Sequence, residues 1–245
     1  MKITSIIAMF ITALWTNAVN AQSDIKVLAF SQVEPGIYHH LSNLNGIALI
    51  ERLGKKRGWD VSVTHDSGSF NAKRLANYDV VAFINTTGDI LNNDQQSAFE
   101  NYIKAGGGFV GTHSAADTEH GWPWYGELVG GYFKSHPEVD QVAMTLKENA
   151  EHPANKHVGD TGAVMEEWYS YTANVRSKPG FEVLLTIDES TYEGGEMDSD
   201  HPITWAHEYD GGRAFYTGLG HTFPSDHPFL ANQLIGGIEW AAGAN

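Results

Sequence analysis

The 245-residue chain contains no cysteine. Disulfides, thiolate metal sites and a cysteine nucleophile are excluded together. Basic residues are the next scarcity, with 15 Lys and Arg against 30 Asp and Glu and a net charge of −15. That balance repels nucleic acid and anionic membranes and disfavours polyanionic substrates, whereas a neutral small molecule suits it. Long apolar runs are missing apart from "IIAMFITALW" near the start. This stretch is too short to span a bilayer, follows Lys2 and precedes the small residues Val19-Asn20-Ala21. Residues 1–21 therefore read as a cleaved secretory signal, and a periplasmic or secreted protein with no membrane association after cleavage is expected. The rest shows no internal repeat, low-complexity tract or Pro-rich linker, and residues 22–245 are expected to form a single domain.

What is present is a strand and helix alternation. "KVLAFS" is a compact apolar strand, and "HLSNLNGIALIERLGKKRGW" predicts a helix with Leu41, Leu44 and Ala48 on one face, ending before Gly58. "DVSVTHD" alternates as a strand. "YDVVAFINTTGD" is a near-continuous apolar run of the kind found in a buried parallel strand. "NNDQQSAFENYIKAGGG" predicts a helix capped by Asn93 with Gln96 three residues on, burying Phe99, Tyr102 and Ile103. "GFVGTHS" follows as the fourth strand. Right-handed crossovers should fold residues 26 to 114 into a parallel sheet with helices on both faces, whose ligands bind beyond the carboxyl ends of the strands. The second half is strand-rich. "ITWAHEY" and "RAFYTGLG" flank Asp210-Gly211-Gly212 as a hairpin, and "FLANQLIGGIEWAAG" closes the chain as a helix.

The 12 histidines are unevenly placed. His39, His113, His136, His207 and His221 each fall at the end of an expected strand or in the loop after one. His113, with Ser114 beside it, follows a glycine-rich strand that should thrust it into the crevice. It is the candidate base, while His39 and His207 would polarise a carbonyl or complete a metal site with it. Zinc is the natural ion for such imidazoles, although no short His-x-x-x-His spacing accompanies them. Period-two alternation places His207 on the face opposite Glu208, which is as ready to pair with Arg213 across the hairpin as to be catalytic. Trp122, Trp124 and Tyr125, with Tyr132 and Phe133, offer flat faces for a sugar ring or else a mini-core over a sheet edge. Glu166, Trp168 and Tyr169 of "EEWYSY" supply the same mixture of carboxylate and aromatic, and with His136 and His221 are expected to contact substrate.

"GGGFVGTHSAADTEHGWPWYGELVGGYFKSHP", "EEWYSY", "LLTIDESTYEGG", "DHPITWAHEYDGGRAFYTGLGHT" and "GGIEWAAG" together resemble the trehalose-utilisation (ThuA-like) family over essentially the whole chain after residue 21. The resemblance implies a flavodoxin-like, class I glutamine-amidotransferase-like α/β fold, a mostly parallel sheet with helices on both faces, with an added strand-rich C-terminal half. In that superfamily a nucleophilic cysteine sits where "GTHS" places His113, so amidotransferase activity is not carried over. The implied substrates are trehalose and related disaccharides, taken as 3-keto derivatives made by a partner sugar oxidoreductase and cleaved or converted by a hydrolase or lyase. The family's recurrent histidines match His39, His113, His136, His207 and His221, with Asp117 in the loop after the elbow. One departure is His39-His40 where the family commonly has His-Asp, which deprives His39 of its adjacent carboxylate. The alternative from another class is a periplasmic carbohydrate-binding protein without catalysis.

Overall fold

The computed structural model describes residues 24–37, 41–159, 161–221 and 228–244. Strands β1 (Lys26–Phe30), β3 (Val80–Ile84) and β4 (Gly108–Thr112) are apolar on both faces and almost wholly buried. A strand of that composition needs a covering layer on each side. With β2 (Asp60–Thr64) at the edge they pair in parallel in the order β2-β1-β3-β4. The sheet continues through β11 (Gly212–Thr217), which is parallel to β4, and then through the antiparallel strands β10 (His201–Tyr209), β9 (Glu182–Asp188), β6 (Gln141–Lys147) and β7 (Ala163–Glu166). The result is a nine-stranded mixed sheet, accompanied by the small pair β5 (Phe133–Ser135) and β8 (Ser170–Tyr171).

The alternation along β4 and β11 decides which helix covers which face. Phe83 and Phe109 pack on Phe99 of α3 (Asn93–Lys104) and on Tyr125 of α4 (Pro123–Val129). Val110 lies opposite Phe215 in the parallel register, one residue out of phase, and there the sheet meets α5 (Pro228–Ala241). Helix α1 (Ser42–Arg57) packs with α5, and the short α2 (Ala72–Leu75) with α3. The predicted helices on both faces are present. Among the described residues no helix is long and apolar enough to cross a membrane.

Three local expectations need correction. On α1 the face expected inside points outward, with Leu41 71% and Leu44 61% exposed and Ala48 exposed as well. The buried face instead carries Asn43, Ile47, Ile50 and Gly54. Asn43 is held inside because its side-chain amide donates to Ser31 Oγ and the Asn85 carbonyl, and Gly54 lies so close to β2 that a Cβ there would overlap Val61. The cap of α3 is Asn92, which accepts from the Gln95 amide while Gln95 bonds back, one residue earlier than the sequence pattern suggested. Asn92→Ala should therefore cost about 1 kcal/mol, read as a lowered urea midpoint, with Asn93→Ala near neutral. The third correction concerns the edge at which His207 lies. β10 runs antiparallel to β11, so Thr204 stands opposite Thr217 at the carboxyl end of β11, whereas His207 stands opposite Ala214 near its amino end. The two-residue turn Asp210-Gly211, with φ of 48° and 99°, closes that hairpin at the edge remote from His113.

Candidate functional site

Strands β3 and β4 both stop on a residue in the left-handed region. Asn85 has φ 49° and His113 φ 44°. Neither is glycine, and such conformations persist only where the surroundings hold them. Here the hold is visible. The Asn85 amide donates to Thr112 Oγ1 and its side-chain nitrogen to the Gly220 carbonyl, while Tyr216 donates its hydroxyl to the His113 carbonyl at 2.8 Å. His113 is thereby turned off the end of β4 toward the chain leaving β11.

The His113 ring is buried against Tyr169, with ring centroids 4.1 Å apart. Its Nδ1 lies 2.9 Å from the Gly218 carbonyl, an acceptor only, so Nδ1 carries the proton and Nε2 the lone pair of the neutral ring. Nε2 faces Glu167 Oε2 at 3.0 Å and His221 Nδ1 at 3.3 Å. His221 Nδ1 is itself 3.1 Å from the same carboxylate oxygen. On the other side of Glu167, His136 Nε2 is 3.4 Å from Oε1, and His136 Nδ1 is fixed by the Pro137 carbonyl at 2.7 Å. A buried carboxylate thus stands among three imidazoles. Among the described residues no lysine or arginine pairs with it.

The adjacent Glu166, at the end of β7, is differently engaged. Its two oxygens accept from the backbone amides of Gly220 and His221, at 2.8 and 3.0 Å. Burial pushes the Glu166 carboxyl above the usual carboxylate range, against the opposing influence of His113 and of the Gly220 and Glu167 backbone amides. For Glu167 burial acts in the same upward direction, yet the hydrogen bonds with His113 and His221 outweigh it and hold the carboxyl well below its ordinary value. His221 is raised in turn, first by its bond to Glu167 and against the effect of its own burial. Glu166 therefore shapes the loop that carries His221, and Glu167 supplies the negative charge.

The remaining expected residues divide into two groups. Tyr169 lines the cluster, with Phe133 against its other side at 4.3 Å. Burial pushes the Tyr169 phenol far up, with Glu167 and Asp117 adding to it, so it serves as a neutral wall. Ser114 is half-buried beside His113 and lends its carbonyl to Thr118, and Asp117 pairs with His120 at 2.8 Å in the same loop. Trp122, Trp124 and Tyr125 are not in the cluster. Trp122 stacks on Trp124 and Tyr125, Trp124 packs on Phe99 and donates to Asp210, and buried Tyr125 donates to the Ala115 carbonyl. They form the mini-core over the sheet rather than a sugar platform. Trp168 is fully buried and donates to the Gln141 carbonyl.

His207 is also elsewhere, stacked on Phe181 at 3.8 Å with Nε2 on the Glu127 carbonyl. The expected His39, His113 and His207 metal set is therefore not brought together: His207 lies at the far edge and His39 lies outside the described residues. Glu208 stands opposite Arg213, 4.0 Å away across the hairpin. Glu167 is the residue that sequence reasoning passed over. The available signal was two consecutive carboxylates at a strand end, where alternation lets only one follow the strand and turns the other across it.

The profile of the ThuA family, described as trehalose utilisation, matches residues 26–241. The chain belongs to that family. Among solved structures it is similar to a ThuA-like protein from Bacteroides uniformis, with 24% identity, a TM-score of 0.74 and coverage of 89% of this chain and 91% of that one. A ThuA-like protein from Parabacteroides merdae gives 19%, 0.71, 89% and 90%. A β-galactosidase from Rahnella sp. R3 matches at 15% identity and a TM-score of 0.58, over 86% of this chain but 30% of its own. At these identities the likeness is one of fold. No curated protein matches the chain. For this family member, association with carbohydrate use follows from the family, and the roles of individual residues from the site.

Proposed function

We propose that this ThuA-family chain converts glycosides carrying a ketone at C3, trehalose-like disaccharides first among them, with a histidine as base. The observation that carries the reading is the unequal fate of the two carboxylates. Ordinary glycosidases use a pair of free carboxyl groups flanking the bond. Here both Glu166 oxygens are committed to backbone amides, and Glu167 faces imidazoles. A ketone at C3 removes the need for the pair, because it acidifies the C2 proton and an imidazole can take it.

Accessibility favours His136 as the base over His113, the base expected from the sequence. His113 is enclosed by Tyr169, Glu167 and His221, whereas the His136 side chain is 38% exposed with its lone pair on Nε2. His136 takes the C2 proton, and Glu167 stabilises the imidazolium that results. The electron pair of the C2–H bond forms the C1–C2 double bond as the C1–O bond breaks. The departing oxygen takes a proton from solvent, and addition of water across the double bond completes a hydrolysis. Without that addition the outcome is that of a lyase.

The reading extends to context. The core is of the flavodoxin-like, amidotransferase-related kind, with His113 at the elbow that elsewhere holds a cysteine. The chain is exported after loss of residues 1–21, and a sugar oxidoreductase installs the ketone beforehand. N-terminal sequencing of the protein from a periplasmic or culture fraction checks export, the expected first residue being Gln22. For the chemistry, purified protein is incubated with a 3-keto-disaccharide and with its unoxidised parent, and products are followed by mass spectrometry and NMR. Conversion of the keto sugar alone is expected. Tight binding of both sugars without turnover would replace this reading with that of a carbohydrate-binding protein.

A further inference from the structure

Three atoms of the kind a metal ion takes, two imidazole nitrogens and a carboxylate oxygen, converge at the centre of the site. In the neutral ring the Gly218 carbonyl keeps the His113 proton on Nδ1, so that Nε2 can offer a lone pair; Glu167 Oε2 is a carboxylate oxygen, and His221 Nδ1 completes the triangle. Their separations are 3.0, 3.1 and 3.3 Å. Atoms that each sit ~2.0–2.1 Å from one zinc ion lie ~3.3 Å apart at tetrahedral angles and ~2.9 Å apart at right angles. The observed edges fall within that range.

We infer that His113, Glu167 and His221 bind one divalent transition-metal ion, zinc foremost, through these three atoms. The donor set of two imidazoles and a carboxylate suits zinc and its first-row neighbours and leaves coordination positions for a substrate. The surroundings are those a ligand set requires. The Nδ1–H of His113 is donated to a backbone carbonyl, which fixes tautomer and orientation together. Glu166 holds the His221 amide, Tyr216 holds the His113 carbonyl, and the Tyr169 ring covers one side of the His113 ring. No lysine or arginine among the described residues competes for Glu167. In the absence of the ion a proton shared with Glu167 occupies the triangle. The catalytic use of the ion, drawing charge onto the C3 ketone oxygen while His136 takes the C2 proton, rests on the preceding reading. Its binding does not.

The test reads the ion directly. Protein made without a histidine tag is analysed for metals, stripped with a chelator, and titrated with Co²⁺ while its visible absorption bands are recorded; Zn²⁺ is then added to displace it. One ion per chain is expected. His221→Ala and Glu167→Gln should each weaken affinity by about 100-fold or more, with His120→Ala as a control that binds as the wild type does. Circular dichroism establishes that each variant is folded, and the wild-type titration stands even if one is not. No uptake of Zn²⁺, Co²⁺ or Mn²⁺ by the wild type, or equal affinity in both site variants, overturns the inference. An ion retained by a protein that leaves 3-keto-disaccharides untouched would leave the site standing and remove the substrate. Turnover that survives complete removal of metal would leave the substrate standing and remove the ion's catalytic use.

Discussion

His136→Ala is expected to lower kcat/KM on a 3-keto-disaccharide by about 100- to 10,000-fold, the range typical of losing a positioned base. The side chain is partly exposed, stands in the loop just after β5, and apart from the approach of Nε2 to Glu167 holds a local carbonyl, that of Pro137, so its removal should leave the fold and the thermal midpoint nearly unchanged. A purely structural histidine would behave differently under one further condition. Because the vacated space opens to solvent, added imidazole should restore part of the lost rate, linearly in its concentration at first. His113→Ala, in contrast, removes a buried ring that Tyr169 and Glu167 pack against, and its loss should not be rescued. Full activity in His136→Ala would return the search for the base to Asp117 or to the cluster itself.

The second large effect concerns stability in acid and lies far from the site. Burial lowers the His207 pKa from 6.5 to about 4, with Lys178 pushing the same way and the Glu127 carbonyl opposing. Its neighbours are the Phe181 ring, the Tyr209 ring, and the Lys178 ammonium, whose bridge engages the Glu127 carboxylate, so among the described residues no carboxylate is paired with the ring. Above pH 6.5 the ring is neutral in both folded and unfolded chains, and His207 contributes no pH dependence. As the pH falls through 6.5 the unfolded chain takes the proton first, and stability drains until the folded ring also titrates near 4. The full loss is about 3 kcal/mol, a large share of the 5–15 kcal/mol typical of a domain. His207→Gln keeps a donor for the Glu127 carbonyl and cannot titrate. Urea unfolding of both proteins at pH 7.5 and 4.5 should show the wild type losing about 2–3 kcal/mol more than the variant across that interval. Equal losses would mean that His207 is not the group responsible.

The two halves of the chain differ in how openly the sequence declares them. In the first half the strands are buried on both faces, so runs such as Val80–Ile84 announce themselves, and Phe99, Tyr102 and Ile103 mark the inner face of α3 as expected. Amphipathic reasoning failed on α1 because a polar residue, Asn43, is inside by virtue of its hydrogen bonds while leucines are outside. In the second half the strands and the β10–β11 hairpin were legible, whereas the edge to which that hairpin carries His207 was not. The argument that a histidine at a strand's end lies at the ligand edge holds for His113 and His221, which follow parallel strands β4 and β11. It misplaces His207 because β10 runs the other way. The aromatics of residues 122 to 125 satisfied one another in a core, an arrangement composition alone could not separate from an open platform. Glu167 escaped because its partners lie 54 residues away in each direction, and only the folded chain brings them within 3.1 Å.

The pairing of β4 with β11 also bears on how the chain must be made. Phe109 and Val110 on β4 find their neighbours Ala214 and Phe215 only when the chain has emerged as far as β11. At ribosomal rates the intervening stretch, about a hundred residues, takes on the order of 5–20 s to synthesise. Through that interval the parallel half presents a bare apolar strand edge, a template for the wrong partner. A nascent chain of this design is therefore at its stickiest just before completion, and truncation upstream of β11 should yield aggregates rather than a smaller folded protein.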